Sequence, residues 1–122
     1  MTINPTEPYV HELGITQSIV DIAEQTASEQ NAQKVLSVTV EIGDLSGVIA
    51  DAVEFCFEAC IQGTWLADSK LVIKRIPGHA RCNDCGTEME IDNMTFSCST
   101  CGSYSLQRTR GEELNIKEVE IE

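Results

Sequence analysis

Residues 82–102 read CNDCGTEMEIDNMTFSCSTCG and hold four of the six cysteines. These form two Cys-x-x-Cys pairs, Cys82/Cys85 and Cys98/Cys101, and the two-residue spacing places both sulfurs of a pair on one side of a tight turn. Two such turns facing each other give a tetrahedral four-thiolate site, the closed geometry of structural zinc. A glycine follows each pair, where the turn needs a residue that tolerates positive φ. The stretch therefore predicts a closed zinc cage of four buried thiolates, and argues against redox dithiols or core cysteines.

Composition places the rest of the chain in an ordinary globular class. Its 122 residues suffice for one domain with a small insert, and 42% of them are hydrophobic, too many for a disordered chain. No apolar run approaches the roughly 20 residues of a membrane span, and the start lacks the basic-then-apolar layout of a signal peptide. We therefore expect a cytoplasmic protein, in which reducing conditions favour metal ligation over disulfides.

The charge balance argues against one class of partner. Twenty acidic and eight basic residues give a formal charge of −12. Nucleic-acid affinity comes largely from Lys and Arg on phosphates, and Arg81 is the only such residue between Gly78 and Gln107. We expect no nucleic-acid or membrane partner. A protein partner should present a basic surface, and its association should weaken with salt.

Hydrophobic periodicity predicts an α+β fold: a small mixed three-stranded sheet with two helices and an inserted zinc-ribbon-like module of four cysteines. The helices are expected over about 15–30 and 50–62, and the strands over 35–42, around Leu71–Ile73, and over 114–121. A change of phase between Ile116 and Val119 predicts a β-bulge in the last strand. The predicted domains are a body of residues 1–77 and 108–122 and a zinc module of residues 78–107.

The order of these elements predicts the topology. A strand, a helix and a second strand imply a parallel crossover. The two strands that flank the insert are expected to pair antiparallel, as a long hairpin with the zinc module at its tip. Because about thirty residues bury too little surface to fold alone, metal binding must stabilise the module. We expect a monomer or a dimer, in which this hairpin could exchange strands between chains.

The remaining cysteines and histidines are less informative. Cys56 and Cys60 lie four apart in the second predicted helix, a spacing that suits a shared metal, but their apolar neighbours favour core packing. His79 stands three residues before Cys82, where a solvated linker residue, a contact with the zinc sulfurs and a link between module and body are all open. His11 precedes the first helix, and its own chemistry does not make it a ligand.

Several motifs taken together resemble one family. They are HEL at 11–13, TQSIV at 16–20, EIGDLSGV at 41–48, FCFE at 55–58, GT at 63–64, the paired CxxCG motifs, and GEELNI at 111–116. In this order and spacing they are similar to the HypA/HybF family, nickel chaperones of NiFe-hydrogenase maturation. The resemblance implies a small α/β nickel-binding body with an inserted structural zinc domain.

The resemblance also implies site residues and partners. His11 matches the family's nickel-binding histidine, Glu12 matches the glutamate beside it, and the four paired cysteines match the zinc ligands. The implied function is non-enzymatic: a metallochaperone that delivers Ni(II), with the GTPase HypB, to the immature hydrogenase large subunit. Nickel(II) accepts a tetragonal or square-planar set of nitrogens whereas tetrahedral thiolates suit zinc, so one small protein can hold both metals apart.

The start of the chain departs from the family pattern. In the family the histidine is normally the second residue, so the terminal amine can join the nickel shell, whereas here ten residues precede His11. Three arrangements are open. Nickel is bound by His11, Glu12 and neighbouring backbone amides; or the extension folds back and lends Tyr9 or Glu7; or the true start is Val10, read as methionine.

Other functional classes predict different features. A rubredoxin-like electron carrier would bind iron through two CxxCG pairs and be red as isolated, but the separate α/β body and the weak aromatic content of the insert argue against it. A zinc-ribbon nucleic-acid module predicts a basic face, which the insert lacks. An enzyme needs a catalytic group or an open metal position, and a four-cysteine zinc site leaves no open position.

Overall fold

The computed structural model describes residues 11–122, with side chains from Glu12 onward. This part of the chain forms two helices and two three-stranded sheets with a four-cysteine cluster, which confirms the predicted α+β class with a four-cysteine module. The helices are α1 (His11–Glu29) and α2 (Ala50–Cys60). The strands are β1 (Val35–Gly43), β2 (Lys70–Ile76), β3 (Gly78–Cys82), β4 (Glu88–Ile91), β5 (Leu106–Arg110) and β6 (Leu114–Ile121). None of the described helices is long and apolar enough to cross a membrane.

The body is built around β1, a strand of mainly β-branched and aliphatic residues that is buried along most of its length. Such residues suit a pleated surface that packs on neighbouring side chains. α1 lies against β1 and β6, and α2 lies against α1 and β2. The helices and the sheet thus share one apolar core, whose members include Ile15, Ile19, Ala23, Val38, Val40, Val53, Phe57 and Leu66.

The body sheet has the strand order β2-β1-β6. β1 pairs parallel with β2, which confirms the predicted crossover through α2. It pairs antiparallel with β6, so the prediction that the strands flanking the insert pair with each other is wrong. The most buried strand takes the centre, while β2 and β6 expose more residues, as edge strands do. The register passes from Thr39–Glu118 to Val40–Ile116, which confirms the predicted bulge and places it at Lys117.

The two helices run side by side in the same direction. The Glu12 carboxylate accepts a hydrogen bond from the Ile49 backbone N–H at 3.4 Å, and the buried Thr16 hydroxyl donates to the Val53 carbonyl oxygen at 3.4 Å. The same hydroxyl lies 2.6 Å from the Glu12 carbonyl oxygen. Both contacts between the helices join residues 37 positions apart. The helices are therefore parallel, and the described start of α1 lies beside the start of α2.

The second sheet has the order β4-β3-β5, with both pairs antiparallel. Its buried cluster is small and consists of Leu45, Ala80 and Ile91, with Met89 and Leu106 packed against it. Leu45 does not come from this sheet, because it lies in the loop after β1 of the body. The second sheet therefore borrows part of its core from the body, and its last strand continues to Arg110.

Three buried glycines form the junction between the two sheets. Gly43 ends β1, Gly78 begins β3, and Gly111 separates β5 from β6. A Cβ added at Gly43 would lie 1.9 Å from the Gly111 carbonyl oxygen, and one added at Gly111 would lie 2.6 Å from the Gly78 Cα. Gly111 also has φ 110°, where residues with side chains are strained. The backbones meet so closely here that only glycine fits.

Candidate metal centres

The four predicted zinc ligands come together in the second sheet. The sulfur atoms of Cys82, Cys85, Cys98 and Cys101 all lie within 4.8 Å of one another. Two of the distances are 3.6 Å, from Cys82 to Cys101 and from Cys85 to Cys98. The contacts therefore cross between the two pairs, as they do when two turns face each other around one point.

Both turns have the backbone geometry that the sequence predicts. Gly86 and Gly102 have φ 77° and 76°, so the expectation of positive φ after each pair is confirmed. Each glycine donates its N–H to the carbonyl oxygen of the first cysteine of its pair, at 2.9 and 3.0 Å. In the second turn the backbone N–H groups of Thr100 and Cys101 also point at the Cys98 sulfur, at 3.3 and 3.5 Å. Such N–H groups stabilise negative charge on sulfur.

The cluster is closed on one side only. Cys82 and Cys98 are buried, whereas Cys85 and Cys101 are exposed, so the expectation of four buried thiolates is wrong. Cys82 ends β3, whereas the other three cysteines lie in the turns outside the strands. Two of the four candidate ligand residues therefore lie at the protein surface.

The pKa values of two of the thiols, Cys98 and Cys101, are shifted in opposite directions. The backbone N–H of Cys101, with that of Thr100, lowers the pKa of Cys98 to about 6. The backbone N–H of Ser103 acts to lower the pKa of Cys101, but the Cys82 thiol, burial and the other two thiols raise it to about 12. The shifts are opposite because backbone N–H groups favour the thiolate of Cys98, whereas the neighbouring thiols disfavour a further negative charge on Cys101. A divalent cation among them would remove that repulsion.

The donor set and spacing fit zinc. Four sulfurs at about 2.3 Å from a tetrahedral centre are about 3.8 Å apart, and the two separations of 3.6 Å are close to that value. The two turns are also tied together outside the cluster, since the Ser103 hydroxyl donates to the Asp84 carboxylate and the Asn83 side chain donates to the Ser105 hydroxyl. The cluster can therefore hold a thiophilic cation with little rearrangement. Among the described residues it is the one group of three or more potential ligands that lie this close together.

The predicted nickel residues, His11 and Glu12, lie in the body, at the start of α1. His11 is the first described residue of α1, but its side chain lies outside what the structure describes, as do Glu7, Tyr9 and Val10. Glu12 is partly exposed, and one carboxylate oxygen faces the Ile49 N–H. A carboxylate at this place is favoured by the positive end of the α2 dipole.

The remaining thiols and the second histidine are not assembled with these groups. Cys56 and Cys60 are partly buried on α2, and Cys60 packs against the body core, as predicted for a core residue. Burial, followed by the nearby Cys56 thiol and Asp21 carboxylate, raises the pKa of the Cys60 thiol. His79 lies within β3, partly buried and opposite Glu90, so it is not a linker residue.

Leu45 is a residue whose importance sequence reasoning missed. It stands in the polar loop GDLSG, and a buried leucine there is the signal that the loop packs against something. Asp84 was also missed, because its tie to the second turn joins residues 19 positions apart.

Residues 10–121 match the family described as "Hydrogenase/urease nickel incorporation, metallochaperone, hypA". The chain belongs to the HypA family. The hydrogenase maturation factor HypA of Geobacter metallireducens is 49% identical over 113 residues, which cover 93% of this chain and 100% of the relative. That of Nostoc punctiforme is 48% identical over 113 residues, covering 93% and 96%.

Two solved HypA structures have a similar fold. The solution structure of the nickel metallochaperone HypA from Helicobacter pylori matches with a TM-score of 0.61 at 22% identity, over 90% of this chain and 96% of that one. Another HypA solution structure matches with a TM-score of 0.68 at 24% identity, over 92% and 96%. At these identities the likeness shows the fold alone.

Family membership decides the functional class. HypA proteins are metallochaperones for nickel incorporation in hydrogenase maturation, so the chain is a maturation factor and not an enzyme, as predicted. Membership of this family takes the place of the two other functional classes considered, a rubredoxin-like electron carrier and a nucleic-acid-binding zinc ribbon. The four-cysteine cluster is the metal-binding group that the described residues offer.

Proposed function

We propose that the chain binds Ni(II) through His11 and Glu12 and delivers it to the large subunit of a NiFe-hydrogenase, in cooperation with the GTPase HypB. Cys82, Cys85, Cys98 and Cys101 hold a structural zinc ion. The nickel-binding body is formed by residues 1–77 and 108–122 and the zinc domain by residues 78–107, with the last strand of the second sheet running on to Arg110.

The observation that carries this proposal is the segregation of donor types in a HypA-family chain. All four thiols of the CxxC pairs are gathered in one cluster within the second sheet. Glu12 belongs to the body, beside the start of α2. The start of α1 is therefore left with an imidazole, a carboxylate and backbone nitrogens, which suit nickel(II) better than thiolate-preferring zinc.

The surroundings of Glu12 suit a site that must release its cargo. Its side chain is partly exposed, and among the described residues its carboxylate is engaged by one long contact from the Ile49 N–H. Its carbonyl oxygen accepts a hydrogen bond from the Thr16 hydroxyl at 2.6 Å, and the same hydroxyl lies 3.4 Å from the Val53 carbonyl oxygen of α2. The helix start is thus fixed in place while the ligand side chain stays accessible to a partner.

Zinc, when bound, supplies folding free energy to a sheet with a very small apolar core. The buried cluster there has three members, one of them borrowed from the body. Structural zinc sites contribute on the order of 10 kcal/mol at neutral pH. The cysteines themselves fix the two turns against each other, and so set the relative positions of β3, β4 and β5.

Nickel titration of matched histidine variants tests the proposal. The chain has two histidines, so His79→Ala is a natural control for His11→Ala. His11→Ala should abolish stoichiometric nickel binding while one zinc per chain is retained, and His79→Ala should bind nickel as the unaltered protein does. Zinc and nickel are counted by elemental analysis after dialysis.

X-ray absorption on the nickel-loaded protein supplies the second readout. Nitrogen and oxygen neighbours around nickel support the proposal. Nickel surrounded by sulfur, accompanied by loss of zinc, would refute it, as would full nickel binding by the His11→Ala variant. Intact mass of the protein from its own cells tests the start: a chain beginning at Met1 eliminates a start at Val10.

A further inference from the structure

The connection between β4 and β5 carries three large apolar side chains that the core of the second sheet does not use. Met94 is 78% exposed, Phe96 is 66% exposed and Tyr104 is 83% exposed. None of them belongs to the small buried cluster that holds this sheet together. All three lie on the segments that flank the second cysteine pair, and we call them the knuckle surface.

The backbone around the knuckle surface is ordered. The Asp92 carboxylate accepts hydrogen bonds from the Met94 backbone N–H at 2.8 Å and from the Thr95 hydroxyl at 2.9 Å. The Thr95 backbone N–H closes the same turn onto the Asp92 carbonyl oxygen at 3.2 Å. These hydrogen bonds fix the backbone of Met94 in a tight turn. Its side chain is exposed there and does not pack on the buried cluster.

Tyr104 is held in a similar way on the other side of the cysteine pair. The Cys98 N–H donates to the Ser103 carbonyl oxygen at 2.7 Å, which brings the segments before and after the turn side by side. The Ser103 hydroxyl is anchored to Asp84. Phe96 is two residues before this bond and Tyr104 is one residue after it, so both lie on the same pair of adjoining segments.

The chain segment that carries the knuckle surface has charges of one sign, with Arg81 of β3 lying beside its first turn and opposite Glu88. Between Cys82 and Leu106 there are four carboxylates and no Lys or Arg; the carboxylates are Asp84, Glu88, Glu90 and Asp92. The Met94 N–H, with the Thr95 hydroxyl, lowers the pKa of Asp92, which keeps that carboxylate charged. A zinc ion held by four thiolates would add two further negative charges.

We propose that the knuckle surface docks a cationic, amphipathic segment of a protein partner, one that presents apolar side chains flanked by Lys or Arg. Aromatic residues and methionine are enriched at the centres of protein interfaces. Ordered turns lower the entropy lost on binding, since the contact residues are already in place. The Asp92 carboxylate beside Met94 and the other carboxylates of the same segment match a basic partner and set the rate and salt dependence of association.

The same charges argue against other occupants. A second copy of the chain would bring one negative surface against another, in a protein of formal charge −12. Anionic lipid headgroups and nucleic-acid phosphates are repelled for the same reason. The proposal is independent of nickel, because it rests on residues of the second sheet and not on His11.

Two synthetic peptides serve as probes on the full-length, zinc-loaded protein. One is an amphipathic helix of leucine and lysine, and the other carries glutamate in place of each lysine. Calorimetry should find binding of the Leu/Lys peptide that weakens with salt, and no binding of the Leu/Glu peptide. Amide shifts of isotope-labelled protein should change around residues 92–105 and not on α2.

Matched variants localise the site. The double variant Phe96→Ser/Tyr104→Ser should weaken binding at least about tenfold, as loss of central interface aromatics does. Phe55→Ser is the control, because Phe55 is an aromatic residue on α2 that is 77% exposed in the same acidic chain. It should change the affinity by less than about twofold. Zinc content of one per chain verifies that each variant is folded.

Should the double variant lose zinc, the pair Glu88→Gln/Glu90→Gln removes charge from β4 without altering the cysteine turns, and should weaken binding and reduce its salt dependence. Equal losses in the Phe55 control and the double variant would overturn the proposal. So would binding of the Leu/Glu peptide, binding to vesicles of anionic lipid, or a concentration-dependent dimer that the double variant abolishes.

Discussion

Substituting alanine for Gly43 tests the junction between the two sheets directly. The added Cβ would lie 1.9 Å from the Gly111 carbonyl oxygen, 2.2 Å from the Gly111 carbonyl carbon and 2.7 Å from the Glu112 nitrogen. All three are backbone atoms, so no side chain can rotate away. Restoring ordinary contact requires a backbone shift of about 1.5 Å.

That shift would disturb two hydrogen bonds of the junction, from the Gly43 N–H to the Glu113 carbonyl oxygen and from the Leu45 N–H to the Gly111 carbonyl oxygen, both 2.7 Å. Overpacking costs about 1–3 kcal/mol and each hydrogen bond contributes about 1 kcal/mol. We therefore expect Gly43→Ala to lower the free energy of unfolding by about 3–5 kcal/mol.

Gly14→Ala is the matched control. Gly14 lies within α1, and a Cβ added there would meet no atom of the described residues within 4 Å. Because alanine favours a helix interior over glycine, this variant should be more stable by about 0.5–1 kcal/mol. Urea unfolding of the zinc-loaded variants, followed by circular dichroism, gives both values. A loss below about 1 kcal/mol for Gly43→Ala would refute the close backbone approach.

Three further predictions concern the four-cysteine site, the contact between the two helices, and the proposed nickel ligand Glu12. Chelation of zinc should increase amide exchange throughout β3–β5 while β1 stays protected, because the second sheet has little apolar core of its own; unchanged exchange would contradict a structural role for zinc. Thr16→Val should lower stability by about 1 kcal/mol in thermal unfolding, since its buried hydroxyl bridges the helices, whereas Thr16→Ser should retain most of that stability. Glu12→Ala should impair hydrogenase maturation in cells more than it lowers the unfolding temperature, because the side chain is partly exposed; normal maturation would count against its role.

Local patterns were sufficient to predict the elements of the body. Alternation of Val38, Val40 and Ile42 with polar residues gave β1, and the phase change between Ile116 and Val119 gave the bulge. The knuckle geometry was also predictable, because spacing and glycine position are properties of a single turn. The burial of each cysteine was not, since it depends on how few atoms the module has to cover the tips of its turns.

Strand order lay beyond the reach of local patterns. The expected pairing of β2 with β6 followed from their positions on either side of the insert, but adjacency in sequence does not decide adjacency in a sheet. β1 is the most buried strand of the body sheet. It therefore takes the central position and lies between β2 and β6. The role of Leu45 was hidden for a related reason, because its contacts are with residues more than thirty positions away.

The packing of the Leu45 side chain in the core of the second sheet limits how that sheet can be engineered. The chain leaves the body at Gly78 and returns at Gly111, and these two residues are in close contact. This proximity suggests that the intervening segment could be excised. Removing the segment would expose the Leu45 side chain to water. Grafting the segment onto another scaffold would remove Leu45 from the buried cluster of the second sheet. A transplant would have to carry the GDLSG loop with it.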